Sequence, residues 1–269
     1  MQSKNAGRTI NDIYIGNKKI IIKLSDGSRL DILPFTYTNN YLFKGKELSD
    51  EDISLLKKDD EEGKLIDAAN KILAKNNVSV ELMKEKLSWK CFDNEIVERT
   101  ISYLKEHNLL NDYEYAKSLL NDLFAKNYGK NRIIDFLKNK KIDPEVISSI
   151  TFDEDEEYNR ALNIIDKLDL KFDNYNNTMK QVHIHDALVR YGYSFEVIKK
   201  MINNISYHQH DKEMEILRNE YPKTLKRYIN KMTKDEAIDK TISYLLNKGF
   251  SYNDILIVKK EQQKWKSNL

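Results

Sequence analysis

The stretch Leu87-Ser-Trp-Lys-Cys-Phe92 is the first of four related stretches that together decide the fold of this chain. Each begins with Leu and ends five residues later with a large apolar residue, and a β-branched residue follows after another five. The final residues are 50, 51 and 57 residues apart, a spacing typical of repeated helical units. The other stretches are Leu137-Lys-Asn-Lys-Lys-Ile142, Leu188-Val-Arg-Tyr-Gly-Tyr193 and Leu245-Leu-Asn-Lys-Gly-Phe250, and the β-branched residues are Val97, Ile147, Ile198 and Ile255.

Each of these Leu residues is predicted to end a helix, because signals for a helix end and a new helix start follow it. Gly192 and Gly249 favour the left-handed conformation that terminates helices. There is room for two helices before each Leu, so each repeat is predicted to contain three. Such a unit has a narrow apolar stripe, and neighbouring repeats are expected to stack and bury one continuous core. The predicted N-caps of the third helices are Asp93, Asp143, Ser194 and Ser251.

The N-terminal segment has a strand pattern instead. Residues 10–15 and 20–24 are rich in Ile, and a Ser-Asp-Gly-Ser turn at 25–28 predicts a β-hairpin. Residues 29–33 form the returning strand, which Pro34 is expected to stop. Ser49 and Asp52 resemble a capping box that opens a short helix.

The predicted fold class is therefore mostly α, with tandem three-helix repeats stacked into an array and preceded by a small segment that contains a β-hairpin. The acidic run Asp153–Glu157 is interpreted as the start of the third repeat, since negative charge is favourable at a helix N-terminus. The predicted division is 1–59 for the β-rich segment with its short helix, then 60–110, 111–152, 153–210 and 211–269 for the four repeats.

Composition narrows the class of protein. The net charge is +2, although a third of the residues are charged, which argues against a protein that grips bare DNA by charge alone. Cys91 is the only cysteine, so no intramolecular disulfide can form, and we expect a half-buried packing role for it. Residues 1–7 show no apolar signal segment, and no apolar run is long enough to span a membrane. We therefore expect a cytoplasmic protein.

The sequence shows no pattern typical of an enzyme. It contains neither of the common glycine-rich nucleotide-binding motifs and no His-Glu-x-x-His motif. Two His-x-His pairs, His183 with His185 and His208 with His210, are candidate zinc ligands. The first pair falls in a predicted helix, where residues i and i+2 point about 200° apart. We expect no catalytic residue, no cofactor and no metal.

Several motifs resemble the RecX family of bacterial RecA regulators, over roughly residues 8–258 and most strongly over 65–152. Phe43-Lys-Gly-Lys-Glu-Leu48 is similar to the segment that leads into the first helix of longer members. Ser79 to Phe92, then Leu109-Leu-Asn-Asp-Tyr-Glu-Tyr-Ala116, resemble the central family signature, and Tyr128-Gly-Lys-Asn-Arg-Ile133 resembles its continuation. The chain departs from the family at Lys90-Cys91-Phe92, where members more often have Lys-Gly-Phe.

The resemblance implies an elongated, gently curved array that lies in the groove of the RecA–DNA filament. It implies a regulator that hinders filament growth, ATP hydrolysis and strand exchange in recombination and DNA repair. We expect a monomer whose partner is RecA, with DNA contact secondary and no membrane contact. The candidate partner-binding residues are Lys86, Lys90, Lys130, Arg132 and Arg190, each of which is otherwise explained as part of a solvated charged surface.

Other functions remain open at this point. A stand-alone DNA-binding regulator built from helix-turn-helix-like repeats would need a basic recognition helix, whereas the segment 143–150 is acidic or neutral. A structural scaffold for an unrelated helical partner is a further alternative, and an enzyme is the least supported one.

Overall fold

The computed structural model describes residues 7–267, with side chains through residue 262, and most of these residues are helical. Within them, four short strands precede or flank the first helix, and twelve further helices follow. The strands are β1 Arg8–Ile15, β2 Ile20–Leu24, β3 Arg29–Ile32 and β4 Glu47–Leu48. The helices are α1 Pro34–Asn39, α2 Asp50–Leu73, α3 Val80–Ser88, α4 Asn94–Glu106, α5 Asp112–Ala125, α6 Lys130–Asn139, α7 Pro144–Ser149, α8 Glu154–Lys171, α9 Asn177–Tyr191, α10 Phe195–Ile202, α11 His210–Ile229, α12 Lys234–Asn247 and α13 Tyr252–Ser267.

The four strands form one antiparallel sheet in the order β3-β2-β1-β4. The predicted hairpin between β2 and β3 is confirmed, and Gly27 takes the positive φ of +83° that its turn requires. Pro34 follows β3 as predicted, but it also begins α1, because its fixed φ suits the first helical position. The short strand β4 is not foreseen by the sequence pattern.

Helix α2 is longer than the sequence pattern predicts. Ser49 and Asp52 form the expected capping box, but the helix continues to Leu73, so the short helix expected before residue 60 is only its first part. No Pro interrupts residues 50–73, and an ion pair between Asp60 and Lys64 at 2.7 Å stabilises the charged middle part of the helix. The first part of α2 packs on the sheet through Ile53, and the second part packs on α3 and α4.

The helices form four consecutive triplets, as the predicted three-helix repeats require: α2–α4, α5–α7, α8–α10 and α11–α13. They belong to two compact units. Unit one is the chain up to Leu119 with Leu137–Ile150, and unit two is Leu120–Phe136 with the chain from Thr151 onward. Unit one contains one buried cluster on the sheet and another among α2, α3 and α4, whereas unit two contains one among α8–α10 and another among α11–α13. The apolar residues thus form separate clusters rather than the one continuous core expected.

The Leu residues that begin the four related stretches lie near the ends of α3, α6, α9 and α12, as predicted, and all four are core residues. None of the four has any exposed surface. In the last three stretches the final apolar residue is buried as well, and its N–H donates to the carbonyl of the Leu five positions earlier. That hydrogen bond forms because the residue directly before the final apolar residue adopts positive φ: 55° at Lys141, 82° at Gly192 and 89° at Gly249.

The first stretch differs from the others, because its final apolar residue, which the repeat pattern makes equivalent to the buried Ile142, Tyr193 and Phe250, is not buried. Phe92 is 94% exposed. Cys91 does not adopt positive φ, and its N–H donates to the Leu87 carbonyl only four residues back. Because the tighter turn does not form, Cys91 takes the half-buried place against the core and Phe92 points outward. The departure from Lys-Gly-Phe therefore has a structural consequence.

Candidate partner-binding surface

Lys130 and Arg132, two of the candidate binding residues, lie in the first turn of α6, where α6 meets the end of α9 within unit two. The Gly129 N–H donates to the Tyr191 carbonyl, and the Asn131 N–H donates to the Gly192 carbonyl, both at 2.9 Å. A Cβ atom on Gly129 would lie only 2.5 Å from the Gly192 backbone. The first turn of α6 is therefore fixed by direct contact between two backbone segments.

A buried carboxylate completes this contact. Glu157 of α8 is only 3% exposed, and its Oε1 atom accepts the Lys130 N–H at 2.9 Å and the Ser194 N–H at 3.2 Å. Its Oε2 atom accepts the Ser194 hydroxyl at 3.0 Å. One carboxylate thus satisfies the first N–H groups of both α6 and α10, where negative charge is favoured. Ser194 begins α10 as predicted, but its hydroxyl binds Glu157 and does not cap its own helix.

Tyr193 adds a further hydrogen bond to the same region. Its hydroxyl donates to the Asn127 carbonyl at 2.5 Å, and burial raises the pKa of the Tyr193 phenol. The phenol therefore keeps its proton and remains a donor throughout the physiological pH range.

Arg132 and Arg190 are brought together by the contact between α6 and α9. The Arg132 guanidinium donates to the Arg190 carbonyl at 2.7 Å and stacks on the Tyr128 ring with its carbon 4.2 Å from the ring centre. The Arg132 side chain is exposed but committed to this contact. The Lys130 ammonium lies 5.8 Å from the centre of the Phe152 ring, and its structural hydrogen bond is made by the backbone. Among the described residues, neither the Lys130 ammonium nor the Arg190 guanidinium forms a hydrogen bond or an ion pair, in contrast to the Arg132 guanidinium.

The same kind of contact occurs once in unit one and once more in unit two, and we call each one a joint. In each joint, the N-cap residue of the second helix of one repeat donates a hydrogen bond to a backbone carbonyl of the next repeat. That carbonyl belongs to the residue three positions after the buried Leu of the next repeat. A carboxylate from the first helix of that next repeat accepts the N–H at the start of the second helix. In the first joint, Ser79 binds the Lys140 carbonyl and the Val80 N–H binds Asp112. In the second, Gly129 binds the Tyr191 carbonyl and the Lys130 N–H binds Glu157. In the third, Asn176 binds the Lys248 carbonyl and the Asn177 N–H binds Glu213.

The distances of the other two joints match the first. The Ser79 hydroxyl and the Asn176 amide each donate to their carbonyl at 2.8 Å. Asp112 accepts the Val80 N–H at 2.8 Å and, with its second oxygen, the Asp143 N–H at 2.9 Å. Neighbouring repeats are therefore connected by hydrogen bonds at helix N-termini.

Lys86 and Lys90 lie in unit one, apart in the chain from the other three candidates. Both are exposed, Lys86 on α3 and Lys90 in the turn between α3 and α4. Two aromatic side chains that the sequence pattern does not single out lie next to these lysines in the chain: Trp89 is 86% exposed and Phe92 is 94% exposed. No local signal marks Trp89, and the lack of glycine at position 91 does not by itself predict the exposure of Phe92, because the turn that buries Ile142 forms at Lys141 without a glycine.

The histidine pairs do not converge, as the helical spacing predicts for the first pair. His183 lies on α9, stacks on the Phe172 ring and makes an edge-to-face contact with the Tyr175 ring, whereas His185 is exposed. His208 is held 3.7 Å from Asp173, and His210 is exposed at the start of α11. Across residues 7–262, no three His, Cys, Asp or Glu side chains are grouped closely enough to hold a metal ion. Among the helices of the described chain, none has the length and apolar character needed to cross a membrane.

Comparison with known proteins identifies relatives of the chain. A family model described as "RecX, second three-helix domain" matches residues 111–149, which contain α5–α7. The chain is 30% identical over 207 residues to regulatory protein RecX of Clostridioides difficile strain 630, a match that covers 76% of this chain and 92% of that relative. It is also 30% identical over 231 residues to regulatory protein RecX of Bacillus subtilis strain 168, covering 82% of this chain and 85% of the relative.

Two solved structures share the fold. A crystal structure of regulatory protein RecX aligns with a TM-score of 0.64 at 21% identity, covering 73% of this chain and 99% of that chain. A crystal structure of RecX from Lactobacillus salivarius aligns with a TM-score of 0.51 at 21% identity, covering 54% of this chain and 97% of that chain. At these identities the likeness concerns the fold alone.

Proposed function

The chain belongs to the RecX family, and from that premise we propose that it binds the RecA filament and slows RecA ATP hydrolysis, filament growth and strand exchange. Its relatives are named regulatory proteins, and a regulatory role is the part of the function that the family supplies directly. The observation that carries the proposal is the extent of the match, which covers 92% of the C. difficile protein. We further propose that the protein acts as a monomer in the cytoplasm.

The structure supports a protein partner in preference to a nucleic acid. Each joint fixes the helices of one repeat against the next, so exposed side chains on neighbouring repeats are presented by rigid elements. Exposed charges of both signs are interspersed, and the net charge of the chain is only +2. A surface of mixed charge is typical of recognition by another protein, whereas a phosphate backbone requires a basic excess.

We expect the purified protein to slow RecA ATP turnover on single-stranded DNA at ratios at or below one copy per RecA protomer. Binding along the filament would hinder the addition or the cycling of protomers, so inhibition should increase with the amount of regulator added. The measurement is steady-state ATP hydrolysis by RecA, with the heat-denatured regulator as a control. Unchanged turnover over the whole range of ratios would refute the proposed function.

Lys130→Glu is expected to raise the amount of regulator needed for half inhibition about tenfold, equivalent to about 1.4 kcal/mol of binding energy. The side chain is exposed and the joint uses only its backbone N–H, so the helix should stay folded. Lys138→Glu, at another exposed lysine on the same helix, is the matched control. Arg132 is a poorer probe because its guanidinium holds the Arg190 carbonyl. Equal behaviour of the two lysine variants would show that Lys130 belongs to a solvated surface.

A cleft in unit two gives the alternative of direct DNA binding a specific basis. Four lysines line this cleft of about 710 Å³ between the α8–α9 loop and α11 and α12. Lys212 and Lys223 are paired with Glu215 and Glu220, which halves the charge available to a phosphate backbone. If DNA binding were the main activity, affinity for DNA without RecA would fall steeply with salt. The four are Lys171, Lys212, Lys223 and Lys248.

A further inference from the structure

The three joints define what the second helix of one repeat requires from the next repeat. The next repeat supplies an acceptor carbonyl three residues after its buried Leu, and a carboxylate on its first helix. These carboxylates, Asp112, Glu157 and Glu213, stand 17 to 20 residues ahead of the N-cap of the second helix in their own repeat. Repeats two, three and four therefore each carry a receiving surface of the same composition, occupied by the preceding repeat.

The first repeat has residues at the equivalent sequence positions, although its turn after Leu87 differs, and the described residues that precede it, 7–49, contain the sheet and α1 rather than another repeat. Lys90 stands three residues after Leu87, and Glu61 stands 18 residues ahead of Ser79. Both residues line one cleft of about 750 Å³, together with Leu65 and Phe92. Among the described residues, no hydrogen bond or ion pair ends on the Glu61 carboxylate or the Lys90 carbonyl. We call this cleft, with Trp89 at its turn, the open half-joint.

The open half-joint differs from the occupied ones in its apolar part. At the equivalent positions, Ile142, Tyr193 and Phe250 are turned into their own repeats, whereas Phe92 is turned out toward solvent. Exposed Trp and Phe side chains next to a cleft are typical of residues that contribute most of the binding energy at protein interfaces. The outward turn of Phe92 thus adds apolar surface at a receiving surface that has no occupant among the described residues.

The other end of the repeats argues against a second copy of this chain as the occupant. The unpaired second helix of the fourth repeat is α12, and its N-terminus would have to enter the open half-joint. That helix is closed by its own capping box, in which the Thr233 hydroxyl and N–H both donate to the Glu236 carboxylate. In the three joints, by contrast, the residue that begins the second helix donates to the next repeat. Among the described residues, the start of α12 is therefore capped within its own helix, whereas the receiving positions of the first repeat accept no helix N-terminus.

We infer that the open half-joint receives the N-terminal turn of a helix from a partner protein. The helix would begin with a small or hydroxyl-bearing residue, as at Ser79 and Gly129, whose donor group would bind the Lys90 carbonyl. Glu61 would accept the next N–H, and Trp89 and Phe92 would cover the flank of the helix. Because this inference rests on the proposed function, the partner is the RecA filament.

The test is the affinity of the full chain for RecA filaments on single-stranded DNA, measured by anisotropy of a labelled regulator. Trp89→Ala with Phe92→Ala should weaken binding at least tenfold, and Glu61→Gln should weaken it several-fold. The matched control is Phe195→Ala with Glu196→Gln, an exposed aromatic and carboxylate pair on α10. All three substituted side chains of the half-joint are exposed, so melting temperatures should be unchanged.

The outcomes separate the two proposals. If the wild-type protein binds RecA filaments and the half-joint variants bind them with the same affinity, the inference is overturned and the proposed function stands. No binding of the wild-type protein to RecA filaments overturns both. A photoreactive group on Cys91, which lines the cleft and is the only cysteine, identifies the occupant. Cross-linking to the first turn of a RecA helix supports the inference, whereas cross-linking to DNA, to a second copy or to another part of RecA contradicts it.

Discussion

Glu157→Ala is expected to lower the free energy of unfolding by about 3 kcal/mol or more, because two charge-assisted hydrogen bonds to helix N-termini would be lost at about 1.5–3 kcal/mol each. Glu157 accepts the Lys130 N–H, the Ser194 N–H and the Ser194 hydroxyl, and its burial leaves little room for water to replace it. The substitution would loosen the start of α6 and the start of α10 together. Urea unfolding followed by circular dichroism measures the effect.

Glu156→Ala is the control for this prediction. Glu156 is the preceding residue of the same helix and exposed, and its side chain is paired only with Arg160 at 3.9 Å. Its replacement should change stability by no more than about 0.5 kcal/mol, the usual range for surface positions. A similar loss for both variants would mean that Glu157 contributes only as a generic first-turn carboxylate, and the joint would lose its energetic importance.

Gly192→Ala is expected to destabilise the protein by about 2–5 kcal/mol, the sum of two separate costs. Gly192 has a φ of +82°, which costs a residue with a Cβ atom about 1–2 kcal/mol. The added Cβ would also lie 2.3 Å from the Arg132 backbone nitrogen, so the start of α6 would have to move, and overpacking of this kind costs about 1–3 kcal/mol. The same unfolding measurement applies.

Gly27→Ala isolates the first of these costs. Gly27 has almost the same φ, +83°, in the hairpin turn, and a Cβ atom there would meet no atom within 4 Å. It should therefore cost only the conformational penalty of about 1–2 kcal/mol. If the two alanine variants proved equally stable, the contact between α6 and the end of α9 would be more yielding than its geometry implies. If Gly192→Ala is the more damaging change, the joint is a rigid connection.

The joints explain how a chain with so few helix-breaking Gly and Pro residues forms distinct repeats. Each triplet of helices α2–α4, α8–α10 and α11–α13 encloses its own apolar cluster, and the connection to its neighbour is made by caps. Caps require specific donors and acceptors at fixed positions, whereas apolar contacts tolerate sliding. The repeats therefore have a defined register, which a regulator of an ordered filament would need.

The sequence by itself determined the local structure. The recurrence of buried Leu at 87, 137, 188 and 245 identified the four repeats, since a helix end and its cap depend on residues adjacent in the chain. The Ser-Asp-Gly-Ser hairpin and the Ser49–Asp52 capping box were predictable for the same reason. The resemblance to RecX was also visible in the motifs, and the relatives confirm it.

Only the tertiary structure decided which polar groups meet across repeats. Glu157 and Lys130 are 27 residues apart in sequence, and nothing local distinguishes Glu157 from its exposed neighbour Glu156. The outward turn of Phe92 likewise depends on whether one backbone residue adopts positive φ, which a pattern of apolar residues does not encode. Periodicity reports which side of a helix is apolar, whereas the pairing of a buried carboxylate with a distant helix end depends on where the folded chain brings the two together.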